Sequence, residues 1–242
     1  MSVARTFACA LLLGGITMRA GAQPPSTEPA SDTPMQTVVV TLTKDPDLLP
    51  YTKIYEKMQE FETIKERDKI YLRFFAAPKG DAELSKLKMS LASGGANMPI
   101  DIEPDGTIQF PVPAPGDVAN AAVLTNQRGN FKIHYGPGIK VPESESFRYR
   151  DVMDGVKQST TMMKKFWSFL FPSFKGAGLR YAEANGQYAI IHARQGDIKI
   201  DVVPARKSIP LELDSSLYEE NPLVTVSQRP VKISPFNVSP SR

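Results

Sequence analysis

Ser215–Ile233 reads SSLYEENPLVTVSQRPVKI, and upstream Gly116–Ile133 reads GDVANAAVLTNQRGNFKI. With gaps of one or two residues, Asn120, Val123, Gln127 and Arg128 fall on Asn221, Val224, Gln228 and Arg229, and Lys132-Ile133 falls on Lys232-Ile233. The match runs backwards from there. Ile100-Asp101-Ile102 and Pro104 fall on Ile200-Asp201-Val202 and Pro204, and Leu72-Arg73-Phe74 on Leu179-Arg180-Tyr181. Tyr51, Ile54, Tyr55 and Met58 share their spacing with Tyr149, Val152, Met153 and Val156, the i, i+3, i+4, i+7 stripe of an amphipathic helix. Matching helix spacing together with strand order points to an internal repeat.

Each copy has a readable plan. A helix opens it, with Pro50 as the start signal in copy one and Pro142-Glu143-Ser144-Glu145 as an acidic start in copy two. Apolar residues then alternate with polar ones, as half-buried strands require: Leu87, Met89 and Leu91; Ile108, Phe110 and Val112; Ile198, Ile200 and Val202. Gly94-Gly95-Ala96-Asn97, Pro104-Asp105-Gly106 and Gly136-Pro137-Gly138 read as turns, and Asn185-Gly186 as a hairpin joining Leu179–Ala184 to Gln187–Ala193. Short turns between strands imply antiparallel pairing. The expectation is an α+β fold of two similar repeats, each a helix packed on a small antiparallel sheet. They span 36–140, with Gln36–Lys44 as an extra first strand, and 143–238, with the boundary in Gly136–Ser146.

Residues 1–22 read as a signal peptide. Arg5 precedes the apolar run Phe7–Met18, and Ala20-Gly21-Ala22 offers a small-x-small cleavage pattern before Gln23. The run is short of the ~20 residues that span a bilayer, and no later stretch comes closer, so no transmembrane segment is expected in the mature chain. Cleavage near Ala22 removes the single cysteine, Cys9, which excludes disulfides and thiolate metal sites and places the protein in the periplasm or outside the cell. Residues 23–35, rich in proline and small polar residues, read as a disordered spacer. Lys and Arg total 29 against 26 Asp and Glu, and the leader removes two arginines. That near-balance, without a basic block, excludes a nucleic-acid footprint.

Chemistry is sparse. The chain holds two histidines. His134 reads as a solvent-facing strand residue, while His192 shares a strand face with Tyr188 and Ile190 and reads as half buried. HExxH, GxSxG, SxxK and Walker patterns are absent, so no catalytic residue, metal site or cofactor is assigned. Asp101 and Asp201 read as solvated strand residues rather than a catalytic pair. The unusual passage is MMKKFWSFLFPSF, Met162–Phe174. Its candidate binding residues are Lys164, Lys165, Phe166, Trp167, Phe169 and Phe171. Two readings stand: the rings bury themselves against the sheets, or they form a partly exposed docking ridge with the lysines at its rim. Burial is the expectation for Trp167, because exposed aromatic patches of that size are uncommon.

One passage carries a family resemblance. IPLELDSSLYEENPLVTV, Ile209–Val226, has a short apolar–Pro–Leu strand end, a Leu217 spacer, and Asn221-Pro222 before Val224 and Val226. It resembles the closing strand–loop–strand of a family of uncharacterised, signal-peptide-bearing proteins of Gram-negative bacteria, a domain of unknown function. Copy one reads Asn120-Ala121 there, without the proline. The resemblance implies a periplasmic setting and no activity. The functional expectation is a non-catalytic binding or accessory module of the cell envelope, partnered by another envelope protein or a glycan. Its rivals are a carboxylate- and His192-dependent hydrolase of envelope material and a structural envelope protein.

Overall fold

Two helices carry the apolar stripes just described. In a computed structural model that describes residues 40–168 and 170–237, α1 spans Tyr51–Glu62 and α2 spans Tyr149–Phe166. Tyr51 and Ile54 of α1 are buried, and Tyr149, Val152, Met153 and Val156 of α2 are fully so. Pro50 stands immediately before α1 as expected. The acidic Glu143–Glu145 stretch does not start α2. A short strand intervenes, and the N-terminal N–H of Arg148 donates instead to the Asp151 carboxylate at 3.1 Å. The described residues belong to one compact unit, which begins at Val40. The leader, the spacer and Gln36–Val39 of the expected first strand lie outside the described residues.

The expected fold class is overturned. The described residues are mostly antiparallel β-sheet: fourteen strands in one ten-stranded and one four-stranded sheet, with few helices. The strands are β1 (Thr43–Lys44), β2 (Ile70–Pro78), β3 (Met89–Ser93), β4 (Ala96–Ile102), β5 (Thr107–Gln109), β6 (Ala122–Thr125) and β7 (Phe131–Ile139). They continue with β8 (Ser146–Arg148), β9 (Gly176–Arg180), β10 (Tyr188–Ala193), β11 (Gly196–Asp201), β12 (Ser208–Glu212), β13 (Leu223–Val226) and β14 (Lys232–Phe236). The larger sheet is ordered β1-β6-β3-β4-β5-β2-β7-β14-β9-β12 and the smaller β11-β10-β13-β8. A third helix, α3 (Ser215–Glu220), precedes β13, where the first half has a 3-10 turn over Pro115–Asn120.

Pairing explains why two separate helix-on-sheet units do not form. The series β1-β6-β3-β4 has the same order as β8-β13-β10-β11, and β5-β2-β7 the same as β12-β9-β14. In the first half β4 pairs on into β5, joining both series into one sheet. In the second half β11 does not pair with β12; the chain after β11 makes the isolated bridge Val203↔Ser208, and the series fall into different sheets. β14 then attaches to β7 through Ile233↔Ile139, so three strands of the second half complete the sheet of the first. The core follows suit. Phe61, Ile64, Ile70 and Ile139 pack in one cluster with the buried face of α2 and the second-half strands, while Leu48, Tyr51, Ile54, Phe74, Leu91 and Phe131 belong to another.

Several turn readings change for local reasons. Asn185-Gly186 does turn the chain, with Gly186 at φ 75°, but it leads from one sheet to the other. Leu179 already pairs with Ile209 on one side and Ile233 on the other, which leaves β10 no place beside β9. Gly136-Pro137-Gly138 lies inside β7, opposite Tyr71, Leu72 and Arg73. Lys140 N–H bonds Lys69 carbonyl at 2.9 Å, and counting back in twos makes Leu72↔Pro137 a non-hydrogen-bonded pair. The proline's missing N–H therefore faces away from β2, where β14 has no register partner for it. Gly138 is required because the Tyr71 ring lies where a Cβ would stand. β5 stops at Gln109, since Pro111 and Pro113 end its ladder and leave Val112 exposed.

Candidate functional site

α2 ends where its sequence turns from buried methionines to lysines and rings. Met162 and Met163 are buried, Lys164 and Lys165 are exposed, and the Trp167 N–H closes the last turn on the Met163 carbonyl at 3.0 Å. Ser168 then turns the chain: its Oγ accepts from Leu170 N–H at 3.1 Å and its carbonyl from Phe171 N–H at 3.0 Å. Pro172 follows, which suits a helix stop.

The expected burial of Trp167 does not occur. Its side chain is 60% exposed and that of Leu170 is 75% exposed, whereas Phe166 and Phe171 are half-buried and Phe174 is buried. Phe169 lies outside the described residues. Trp167 is placed by what lies beneath it. Tyr135 of β7 has its ring 6.0 Å from Trp167 and 6.1 Å from Phe166. Tyr135 is backed by Phe74 at 6.2 Å, which meets Phe110 edge-on at 5.4 Å. A ladder of rings thus runs from the core outward to one exposed indole.

The lysines divide by what they touch. Lys165 reaches the end of α1, its Nζ donating to Thr63 Oγ1 at 2.5 Å, so the C-terminal ends of both helices meet here. Lys57 of α1 lies 5.1 Å from the Phe166 ring and pairs with Glu60 at 2.6 Å. The hydrogen bond it donates to Glu60 holds its ammonium above the usual lysine value despite opposing burial. Lys164 has no partner among the described residues. Of the six predicted residues, the structure therefore gathers Phe166 and Trp167 around Tyr135, ties Lys165 to Thr63, and sets Phe171 against Phe174 at 5.5 Å. Tyr135 and Lys57 were missed, because a strand tyrosine and a helix lysine carry no local sign that α2 will end over them.

His134 is solvent-facing, stacked on Phe75 at 5.6 Å. His192 is more exposed than expected and faces solvent from β10, with Ala189 and Ile191 on the buried side. Its Nδ1 is 2.9 Å from Asp197 Oδ1 and its Nε2 is 3.2 Å from Thr225 Oγ1. That is the sequence of groups in a carboxylate–imidazole–hydroxyl relay, but on an open sheet surface. Asp101 and Asp201 do not converge: β4 and β11 lie in different sheets, and Asp201 pairs with Lys199 at 2.9 Å. Among the described residues no group of three or more His, Cys, Asp and Glu could hold a metal ion, and no helix is long and apolar enough to cross a membrane.

Sequence reading also missed a polar cluster assembled from residues far apart in the chain. Lys232, its side chain 10% exposed, pairs with Asp105 and with Glu103 at 3.4 Å, and donates to Thr107 Oγ1 at 2.6 Å. Burial pushes the Asp105 carboxyl up, but hydrogen bonds from Lys232 and Thr107 outweigh it and hold it at about 2. No family model matches the chain, and no curated protein or solved structure matches it.

Proposed function

We propose that this protein is an exported, non-catalytic binding module of the cell envelope, and that the end of α2 is its contact surface. The observation that carries the reading is the exposure of Trp167 and Leu170 above a rigid aromatic base, rimmed by Lys164 and Lys165. Aromatic anchors supported from below are the side chains that dominate interface energies, since little ordering is left to lose on binding. The partner is an envelope protein or glycan. The leader pattern and the resemblance of Ile209–Val226 to an exported Gram-negative family support the compartment.

Site-specific photocrosslinking in intact cells tests this. A crosslinker at position 167 or 170 is expected to give a discrete protein or glycan adduct, and one at Asp101 none. Equal labelling at the three positions would overturn it. The hydrolase remains a second reading, resting on the Asp197–His192–Thr225 arrangement. An active-site-directed fluorophosphonate that labels Thr225 in the wild type but not in His192→Ala would favour it.

A further inference from the structure

On the side of the molecule where the Lys232 cluster forms, a cleft of ≈ 470 Å³ opens between the β4–β5 turn and the end of β9. Its walls come from Glu103, Pro104 and Asp105 on one side and Arg180, Tyr181, Ala182 and Lys207 on the other, with Val231 and Lys232 between. Backbone hydrogen bonds set the second wall. Tyr181 N–H donates to the Lys207 carbonyl and Val231 N–H to the Arg180 carbonyl, both at 2.9 Å. The volume falls within the range of small-molecule sites, about 300–1,000 Å³.

Two basic side chains of this wall have no carboxylate partner among the described residues. Arg180 is exposed, and its guanidinium has no hydrogen bond, ion pair or ring among the described residues. Its counterpart on β2, Arg73, stacks on Phe75 at 4.9 Å and reaches Ser234 Oγ at 3.4 Å. Tyr181, the residue after Arg180, turns its ring to the opposite face and into the core, where it is 4% exposed. Lys207 sits in the left-handed region at φ 49°, an uncommon place for a residue with a side chain. Its Nζ donates to Ala182 carbonyl at 3.0 Å and has no carboxylate partner. The acidic wall, by contrast, is already engaged, with Glu103 and Asp105 both turned onto Lys232.

We infer that this cleft binds a small organic oxyanion, with Arg180 and Lys207 gripping its carboxylate or phosphate group. A guanidinium offers paired donors that match either group, and an ammonium with one of its three donors used still has two to give. The rest of the ligand is apolar, because Pro104, Ala182 and Val231 line what the charges leave. The inference is independent of the aromatic surface at α2.

Titration of the exported chain with phenyl phosphate and with benzoate, followed by ¹H–¹⁵N spectra, tests it. At least one probe is expected to shift the amides of Arg180, Ala182, Lys207 and Val231 saturably, and the tighter of the two distinguishes phosphate from carboxylate. Arg180→Ala, which breaks no contact of the fold, is expected to weaken that probe at least tenfold, while Lys199→Ala leaves it unchanged. Tyr181→Phe, which removes a hydroxyl closed into the core, is expected to leave it unchanged. If neither probe shifts those amides at millimolar concentration, or if binding survives Arg180→Ala at wild-type strength, the site does not exist.

Discussion

Trp167 and Tyr181 are both large aromatic residues, and their surroundings give them opposite consequences on truncation. Trp167→Ala removes a mostly exposed ring and is expected to change unfolding free energy by less than ~1 kcal/mol, against ~2–5 kcal/mol for Ile54→Ala in the closed core. Thermal melts of the two variants check this. Tyr181→Phe deletes a hydroxyl that is buried without a partner, so it is expected to leave the melting temperature unchanged or raise it. Asp105 governs the acid limb. Its folded value of about 2 lies below the ordinary aspartate value of 3.8, so its contribution is present above 3.8 and is lost as pH falls through 2. Asp105→Asn is therefore expected to lower stability at neutral pH and to flatten the fall in melting temperature between pH 4 and 2. None of these three environments was legible in the sequence. Each depends on neighbours that the chain supplies from another element: Tyr135 under Trp167, the shared core around Tyr181, and Lys232 beside Asp105.

At the scale of elements, local periodicity was a sound guide and partner choice was not. The stripes of α1 and α2 were readable because a helix buries residues by their spacing alone. Met89 and Leu91 alternated visibly for the same kind of reason. Asn185-Gly186 misled because a turn signal fixes a change of direction and says nothing of whether the next strand's place is already taken. The close approach of α2 to β7 is similarly hidden. A Cβ at Gly155 would stand 2.6 Å from Ile139 Cγ2, and Ile139 is fully buried. Gly155→Ala gains ~1 kcal/mol of helix propensity but forces apart a packed interface, at ~1–3 kcal/mol or more. The clash is expected to win, lowering the denaturant midpoint, because a β-branched side chain inside the core has no free direction in which to retreat.

At the scale of the molecule, the internal similarity of the sequence was visible but its outcome was not, since a single extra pairing from β4 into β5 decides how the strands are shared. Because Phe61, Ile64 and Ile70 of the first half pack in one cluster with α2 and the second-half strands, the two halves are expected to unfold together. Far-ultraviolet dichroism and Trp167 fluorescence should then report one coincident denaturant transition; two separated midpoints would show independent halves. The same sharing settles how the protein meets its own copies in a crowded compartment. Among the described residues the two sheets terminate in β1, β12, β8 and β11, whose outer edges offer unpaired backbone to any passing strand. Two of these edges are only two and three residues long, β12 carries Pro210, and β11 carries Asp197, Lys199 and Asp201. A sheet that grew by borrowing strands from its own second half is left with margins too short, too charged or too poor in donors to recruit a stranger, and so it resists aggregation.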